Sequence, residues 1–216
     1  RLGAGKVKPP TAIGTASILG LGSLTASYFL GWPFLLIALS YMGLNLLYSF
    51  FIKHIVLIDV MSIALGFVLR ALAGAVVIGV EFSGWLLVSS FLLALFLGFG
   101  KRRYELEHRD GGGGDHRRIL RKYSGYLLDQ LIGVVTPAVV VCYMIYVISP
   151  DVQAKLGTRY LFFTTPFVIY GIFRYLYLIH QEEKGGSPTK VMLSDGPTLL
   201  TVLLWLISVL LLLYVF

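Results

Sequence analysis

The sequence predicts an all-α, polytopic transmembrane helix bundle with seven spans, and three observations predict it. Hydrophobic residues make up 57% of the 216 positions and charged residues only 13%, where a soluble domain carries about a quarter charged residues. The apolar stretches recur along the whole length, which a single secretory signal does not explain. The basic residues, finally, are distributed with a strong sidedness.

A span needs about 20 mostly apolar residues. Seven windows qualify, at roughly 10–30, 33–52, 55–80, 84–100, 126–149, 158–179 and 197–216. Gly31-Trp32-Pro33 separates the first from the second, and Phe82-Ser83-Gly84-Trp85 the third from the fourth. Ser149-Pro150-Asp151 follows the fifth. Gly and Pro mark such breaks because one permits tight turns and the other stops helices. Alternation of the spans places fourteen of the eighteen Lys and Arg on one side: Arg1, Lys6, Lys8, Lys53, Lys101, Arg102, Arg103, Arg109, Arg117, Arg118, Arg121, Lys122, Lys184 and Lys190. Lys155 and Arg159 fall on the other side. By the positive-inside rule the first side is cytoplasmic. Trp32, Trp85 and Tyr160 fall at the opposite helix ends, where amphipathic rings favour the interface. The net charge of +7 therefore speaks first of topology and then of anionic ligands, with no nucleic-acid partner expected. The single cysteine, Cys142, excludes an intrachain disulfide and a CxxC metal site. The chain begins at Arg1 rather than Met, with polar residues that read as the end of a loop, so a preceding piece is expected.

Charges inside spans carry more information than charges at their ends. Asp59 and Arg70 lie in the third window, Asp129 opens the fifth, and Arg174 sits inside the end of the sixth. A charge at mid-membrane costs about 2.5–3.5 kcal/mol on insertion scales, so such residues pair with one another or face a polar cavity. Asp59 and Arg70 are eleven residues apart, about 16 Å along a helix, and cannot pair directly.

The longest basic loop runs from Lys101 to about Gly125 and begins Lys101-Arg102-Arg103-Tyr104-Glu105-Leu106-Glu107-His108-Arg109. If the fourth helix continues past the membrane, Lys101, Glu105 and Arg109 share a face. That face reads either as a solvated salt-bridge ladder or as a site mixing a Mg²⁺-binding carboxylate with phosphate-binding cations, since Mg²⁺ takes one or two carboxylates plus substrate oxygens. Gly111-Gly112-Gly113-Gly114 is not a P-loop, because GKS or GKT is absent, and reads as a connector. Asp115-His116 reads as solvated loop, and His54, His108, His116 and His180 match no zinc spacing.

Several segments together resemble the UbiA superfamily of membrane prenyltransferases, closest to its branch of polyprenyl-phosphate (decaprenyl-phosphate) phosphoribosyltransferases. They are Tyr48-Ser49-Phe50-Phe51-Ile52-Lys53-His54, Asp59-Val60 with Gly66-Phe67-Val68-Leu69-Arg70-Ala71-Leu72-Ala73-Gly74, Gly100-Lys101-Arg102-Arg103-Tyr104-Glu105-Leu106, Gly171-Ile172-Phe173-Arg174-Tyr175 and Leu193-Ser194-Asp195. The resemblance implies a nine-helix bundle around a lipid-accessible cavity. Two acidic motifs at its cytoplasmic face would hold Mg²⁺ and a diphosphate. The first motif, NDxxDxxxD, is absent from these residues, so the seven spans would be helices three to nine of a single membrane domain lacking its first two helices. The second region corresponds to the loop from Lys101, where Glu105 fits best. A Tyr-xxx-Lys signature is met only approximately, Tyr48 and Lys53 being five apart.

The resemblance implies a donor, 5-phosphoribosyl 1-diphosphate, and an acceptor, polyprenyl phosphate, in Mg²⁺-dependent synthesis of lipid-linked pentose for the cell wall at a bacterial plasma membrane. Glu105 (also the metal ligand) and Lys53 would be catalytic. Substrate would be bound by Tyr48, Lys53, Arg70, Lys101, Arg102, Arg103, Tyr123 and Arg174, with Arg102 or Arg103 on the 5-phosphate. Two other readings stay open. One is a UbiA-type enzyme moving a prenyl group from a prenyl diphosphate to an aromatic or lipid acceptor. The other is a transporter or lipid-binding protein, against which stands the lack of an internal repeat. A homo-oligomer is also left open.

Overall fold

The computed structural model describes residues 9–107, 120, 122–181 and 188–214. Helices α1 (Pro9–Phe29) and α2 (Trp32–Phe50) form an antiparallel pair broken at Gly31, whose φ of 109° suits a residue without Cβ. Pro33 at the start of α2 fixes a helical φ where no intrahelical donor is needed. A 3-10 turn (Ile52–His54) leads to α3 (Ile58–Ile78), which stops at Gly79 in the left-handed conformation. Next come α4 (Gly84–Glu107), α5 (Gly125–Ile148), a short α6 (Pro150–Leu156) and a 3-10 turn (Tyr160–Thr164) running into α7 (Thr165–His180). Last are α8 (Pro188–Ser194) and α9 (Gly196–Tyr214). Among the described residues there is no strand.

Among the described residues six helical segments are long and apolar enough to cross a membrane: Trp32–Phe50, Ile58–Ile78, Gly84–Glu107, Gly125–Ile148, Tyr160–His180 and Gly196–Tyr214. This corrects the expected count of seven. The first expected span is helical as α1, but Gly, Ser and Thr recur through it (Gly14, Gly20, Gly22, Ser17, Ser23, Thr15, Thr25), and it is not one of the six. Large apolar side chains cover the outside of the bundle, among them Ile18, Phe29, Phe50, Ile78, Val134 and Leu211, an exposure that suits lipid as solvent.

The core lies between α3, α4, α5 and α7. It is built from Val60, Leu95, Phe96, Phe99, Leu128, Ile132, Tyr175, Leu178 and Ile179. Two glycines set how closely α4 approaches its neighbours. A Cβ on Gly98 would lie 2.6 Å from Val60 Cγ1, and one on Gly100 would lie 2.7 Å from Ile179 Cδ1. Gly98 thus admits α3 and Gly100 admits α7. A smaller cluster near the opposite end joins Tyr143, Val147, Val152 and Leu161. There the Tyr143 hydroxyl and Thr164 Oγ1 are 2.6 Å apart, and Trp205 Nε1 donates to the same hydroxyl at 3.0 Å.

The fourth span was expected to end near residue 100, whereas α4 continues to Glu107. Charge pairs at helical spacing sustain the extra two turns: Lys101 with Glu105, Arg102 with Glu105, and Arg103 with Glu107. This extension carries the basic run Lys101-Arg102-Arg103 to one end of the bundle. At the other end, Lys155 pairs with Glu81.

Candidate functional site

The extended end of α4 meets the start of α3 and the residues that lead into α5. Asp59, in the first turn of α3, is fully buried. Its Oδ1 accepts a 2.8 Å hydrogen bond from the Tyr123 hydroxyl. That hydroxyl in turn accepts from the backbone N–H of Leu57 at 2.7 Å. Leu57 is the only non-glycine with positive φ among the described residues, at 69°. Burial beside Asp59 pushes the Tyr123 hydroxyl well above its usual pKa, so it stays a donor.

Arg102 spans two carboxylates. Its Nη1 donates to Glu105 Oε2 at 2.7 Å, while Nη2 lies 3.1 Å from Asp59 Oδ2. The second contact is an ion pair without hydrogen-bond alignment, so Oδ2 is buried with no hydrogen-bond donor. The Arg102 side chain is 6% exposed and that of Glu105 26% exposed. On the outer side of Glu105, Lys101 Nζ lies 3.8 Å from Oε1. Tyr48, near the end of α2, is half-buried within the electrostatic reach of Arg102, Asp59 and Glu105. Lys53, in the adjoining 3-10 turn, is half-buried and has no ion-pair partner among the described residues.

Arg103 turns away from this cluster, as the 100° step between neighbouring helix residues requires. It pairs with Asp129 of α5 at 2.7 Å and with Glu107. His180 Nε2 lies 3.4 Å from the same Asp129 oxygen.

Two expected site residues stand apart. Arg70 donates from Nε and Nη2 to the Tyr41 hydroxyl at 3.2 and 2.8 Å, and its guanidinium lies over the rings of Tyr41 and Phe67. Arg174 ties α7 to the start of α9, donating to Asp195 at 3.0 and 2.6 Å. Asp195 also accepts from the Thr198 N–H and hydroxyl, so it caps α9. Arg174 holds this carboxyl well below its usual pKa.

Of the residues singled out in the sequence, the structure brings Glu105, Lys101, Arg102 and Tyr123 together, with Tyr48 alongside. Asp59 and Asp129, which read in the sequence as charges inside spans, with Asp59 also in a segment of the resemblance, turn out to be the partners of Arg102 and Arg103. Their depth in apolar segments was the signal that they needed cations. Arg109, Asp115 and His116 lie outside the described residues.

Among the described residues no three His, Cys, Asp or Glu side chains converge as a metal cage. Glu105 nevertheless fits as a single ligand. It is a partly exposed carboxylate, and Mg²⁺ takes one or two protein carboxylates plus substrate and water oxygens.

The sequence is similar to several curated proteins named decaprenyl-phosphate phosphoribosyltransferase. That of Mycolicibacterium smegmatis is 29% identical over 95% of this chain and 66% of the relative. That of Corynebacterium glutamicum is 31% identical over 81% and 52%, and that of Mycobacterium tuberculosis 28% identical over 96% and 68%. The chain thus spans between about half and two thirds of the length of the curated relatives it matches. The sequence profile of the UbiA prenyltransferase family matches residues 1–194, and together with the all-helical bundle this shows that the chain belongs to that family.

Proposed function

We propose that this protein transfers the phosphoribosyl group of 5-phosphoribosyl 1-diphosphate to a polyprenyl phosphate, with Mg²⁺ as cofactor, at the cytoplasmic face of the membrane. The observation that carries the reading is the name shared by relatives that cover most of the chain. The end of α4 that carries Lys101 and Glu105, with Lys53 on the turn between α2 and α3, offers chemistry that suits it.

The reaction breaks the bond between ribose C1 and the diphosphate oxygen and forms one between C1 and an oxygen of the lipid phosphate. The diphosphate leaves with the bonding pair. The acceptor is already an anion, so no strong base is required, and catalysis reduces to positioning and charge stabilisation. Bound Mg²⁺ would neutralise the leaving diphosphate, with Glu105 as one of its ligands. Arg102 and Arg103 each serve two carboxylates. Lys101, half exposed beside Glu105, and Lys53, which has no ion-pair partner among the described residues, would serve phosphate oxygens, each as a mobile point charge. The polyprenyl tail would lie among the apolar helices. Membership of an enzyme family sets aside the reading as a transporter.

The test offers the purified protein radiolabelled 5-phosphoribosyl 1-diphosphate with a polyprenyl phosphate in detergent. Label is expected to enter the lipid fraction only when Mg²⁺ is present. If label stays in water while a prenyl diphosphate is consumed with a small aromatic acceptor, the donor assignment is wrong and prenyl transfer replaces it.

A further inference from the structure

Two carboxylates share Arg102, and their unequal exposure separates their roles. Asp59 is completely enclosed and touches no solvent. Glu105 is a quarter exposed and stands at the rim beside Lys101. We propose that Asp59 is a positioning residue: by taking up the charge of Arg102, it leaves Glu105 a negative charge to offer a divalent cation. The inference rests on the reading of Glu105 as a metal ligand given above.

The charge balance carries it. Asp59 and Glu105 together balance Arg102 and Lys101, and Glu105 is the exposed carboxylate that can present its charge; without Asp59 the group carries a surplus cation. Without Asp59, the buried guanidinium would face Glu105 alone at 2.7 Å, with Lys101 on the other oxygen at 3.8 Å. A carboxylate held by two cations attracts a third poorly, and more poorly still where burial limits screening. Geometry supports the same division. The Tyr123 hydroxyl fixes Asp59 through Oδ1, and the 69° φ of Leu57 places the N–H that this hydroxyl accepts. Asp59 is thereby set under Arg102 by a tyrosine distant in sequence, while among the described residues its Oδ2 takes no hydrogen bond and pairs with the guanidinium. An aspartate needed only to anchor the start of α3 would be served by the tyrosine alone.

The test measures Mn²⁺ binding by electron paramagnetic resonance in the presence of inorganic diphosphate, on protein in nanodiscs, with no turnover required. Thermal unfolding without metal reports folding separately. Asp59→Asn, which keeps the shape and the Tyr123 contact, is expected to weaken Mn²⁺ about tenfold or more. Adding Arg102→Gln to it removes the surplus cation and is expected to bring affinity back to within about threefold of wild type. Unchanged Mn²⁺ affinity in folded Asp59→Asn overturns the proposal. If Asp59→Asn does not fold, the double variant decides: affinity near wild type supports the proposal and lost affinity overturns it. A wild-type protein that binds no Mn²⁺ with diphosphate also overturns it. A wild type that binds Mn²⁺ as described yet transfers no phosphoribose overturns the donor assignment and leaves the role of Asp59 standing.

Discussion

Arg102 has one charge and two carboxylate neighbours, while Lys101, one residue before it, is half exposed and among the described residues pairs with Glu105 alone. These neighbours on one helix therefore differ in kind. The buried arginine belongs to the protein's own charge balance, and the exposed lysine is available to a ligand. Lys101→Ala is expected to raise the apparent donor KM about tenfold, or about 1.4 kcal/mol, with kcat little changed, because a contact made equally in ground and transition states acts on KM. Steady-state kinetics at saturating acceptor check it, and an unchanged KM would return Lys101 to the role of a surface partner for Glu105. The sequence made the cations legible as a run but could not divide them. Three consecutive cations point in three directions on a helix, and which direction is buried depends on α3 and on Tyr123, sixty-four residues beyond Asp59.

At the scale of elements, the bundle is tuned by close approach and by polar ties between helix ends. In Gly98→Ala the new methyl would meet the branched side chain of Val60 at 2.6 Å. Overpacking of this kind costs about 1–3 kcal/mol, against a gain of about 1 kcal/mol from replacing a helical glycine. Gly43 of α2 has nothing within 4 Å of its added Cβ, so Gly43→Ala should be neutral or slightly stabilising. Unfolding midpoints in detergent compare the two, and a stabilised Gly98→Ala would mean that α3 and α4 are less tightly apposed than described. The tie between α7 and α9 is expected to outlast acid. Arg174 depresses the Asp195 pKa, so its contribution is present above the usual aspartate value near 3.9. It is lost only as pH falls through the lower folded value. Asp195→Asn should therefore be less stable than wild type by about 1.5–3 kcal/mol, the worth of charge-assisted hydrogen bonds. That difference should stay constant from pH 7 to 5, and one that faded across this range would deny the depression. The helices themselves were readable from apolar length. The continuation of α4 to Glu107 was readable only as a condition, because it rests on side-chain pairs rather than on hydropathy.

For the whole molecule, polarity is unevenly divided between the two ends. Asp59, Lys101, Arg102, Glu105 and Tyr123 gather at one, and Glu81 and Lys155 at the other. With the basic side facing the cytoplasm, a cysteine placed at exposed Lys122 in a background lacking Cys142 should resist an impermeant thiol reagent applied to intact cells. One placed at exposed Ala154 should react. The reverse pattern would invert the topology. The all-helical class and the separation of charged ends were legible because lipid imposes length and polarity on each span. The first window was over-read as a span, since α1 mixes its apolar residues with Gly, Ser and Thr. Phosphoribosyl transfer at the Glu105 end is the proposal on which the rest depends. The most direct measurement isolates the lipid product by mass spectrometry after incubation with 5-phosphoribosyl 1-diphosphate and polyprenyl phosphate, for wild type and Glu105→Gln at matched unfolding midpoints. Wild type is expected to yield a polyprenyl phosphate heavier by one phosphoribosyl group, with its rate of formation reduced about a hundredfold or more in Glu105→Gln, in the range seen when one charge-stabilising group is removed. Equal amounts of that product from both proteins would contradict it.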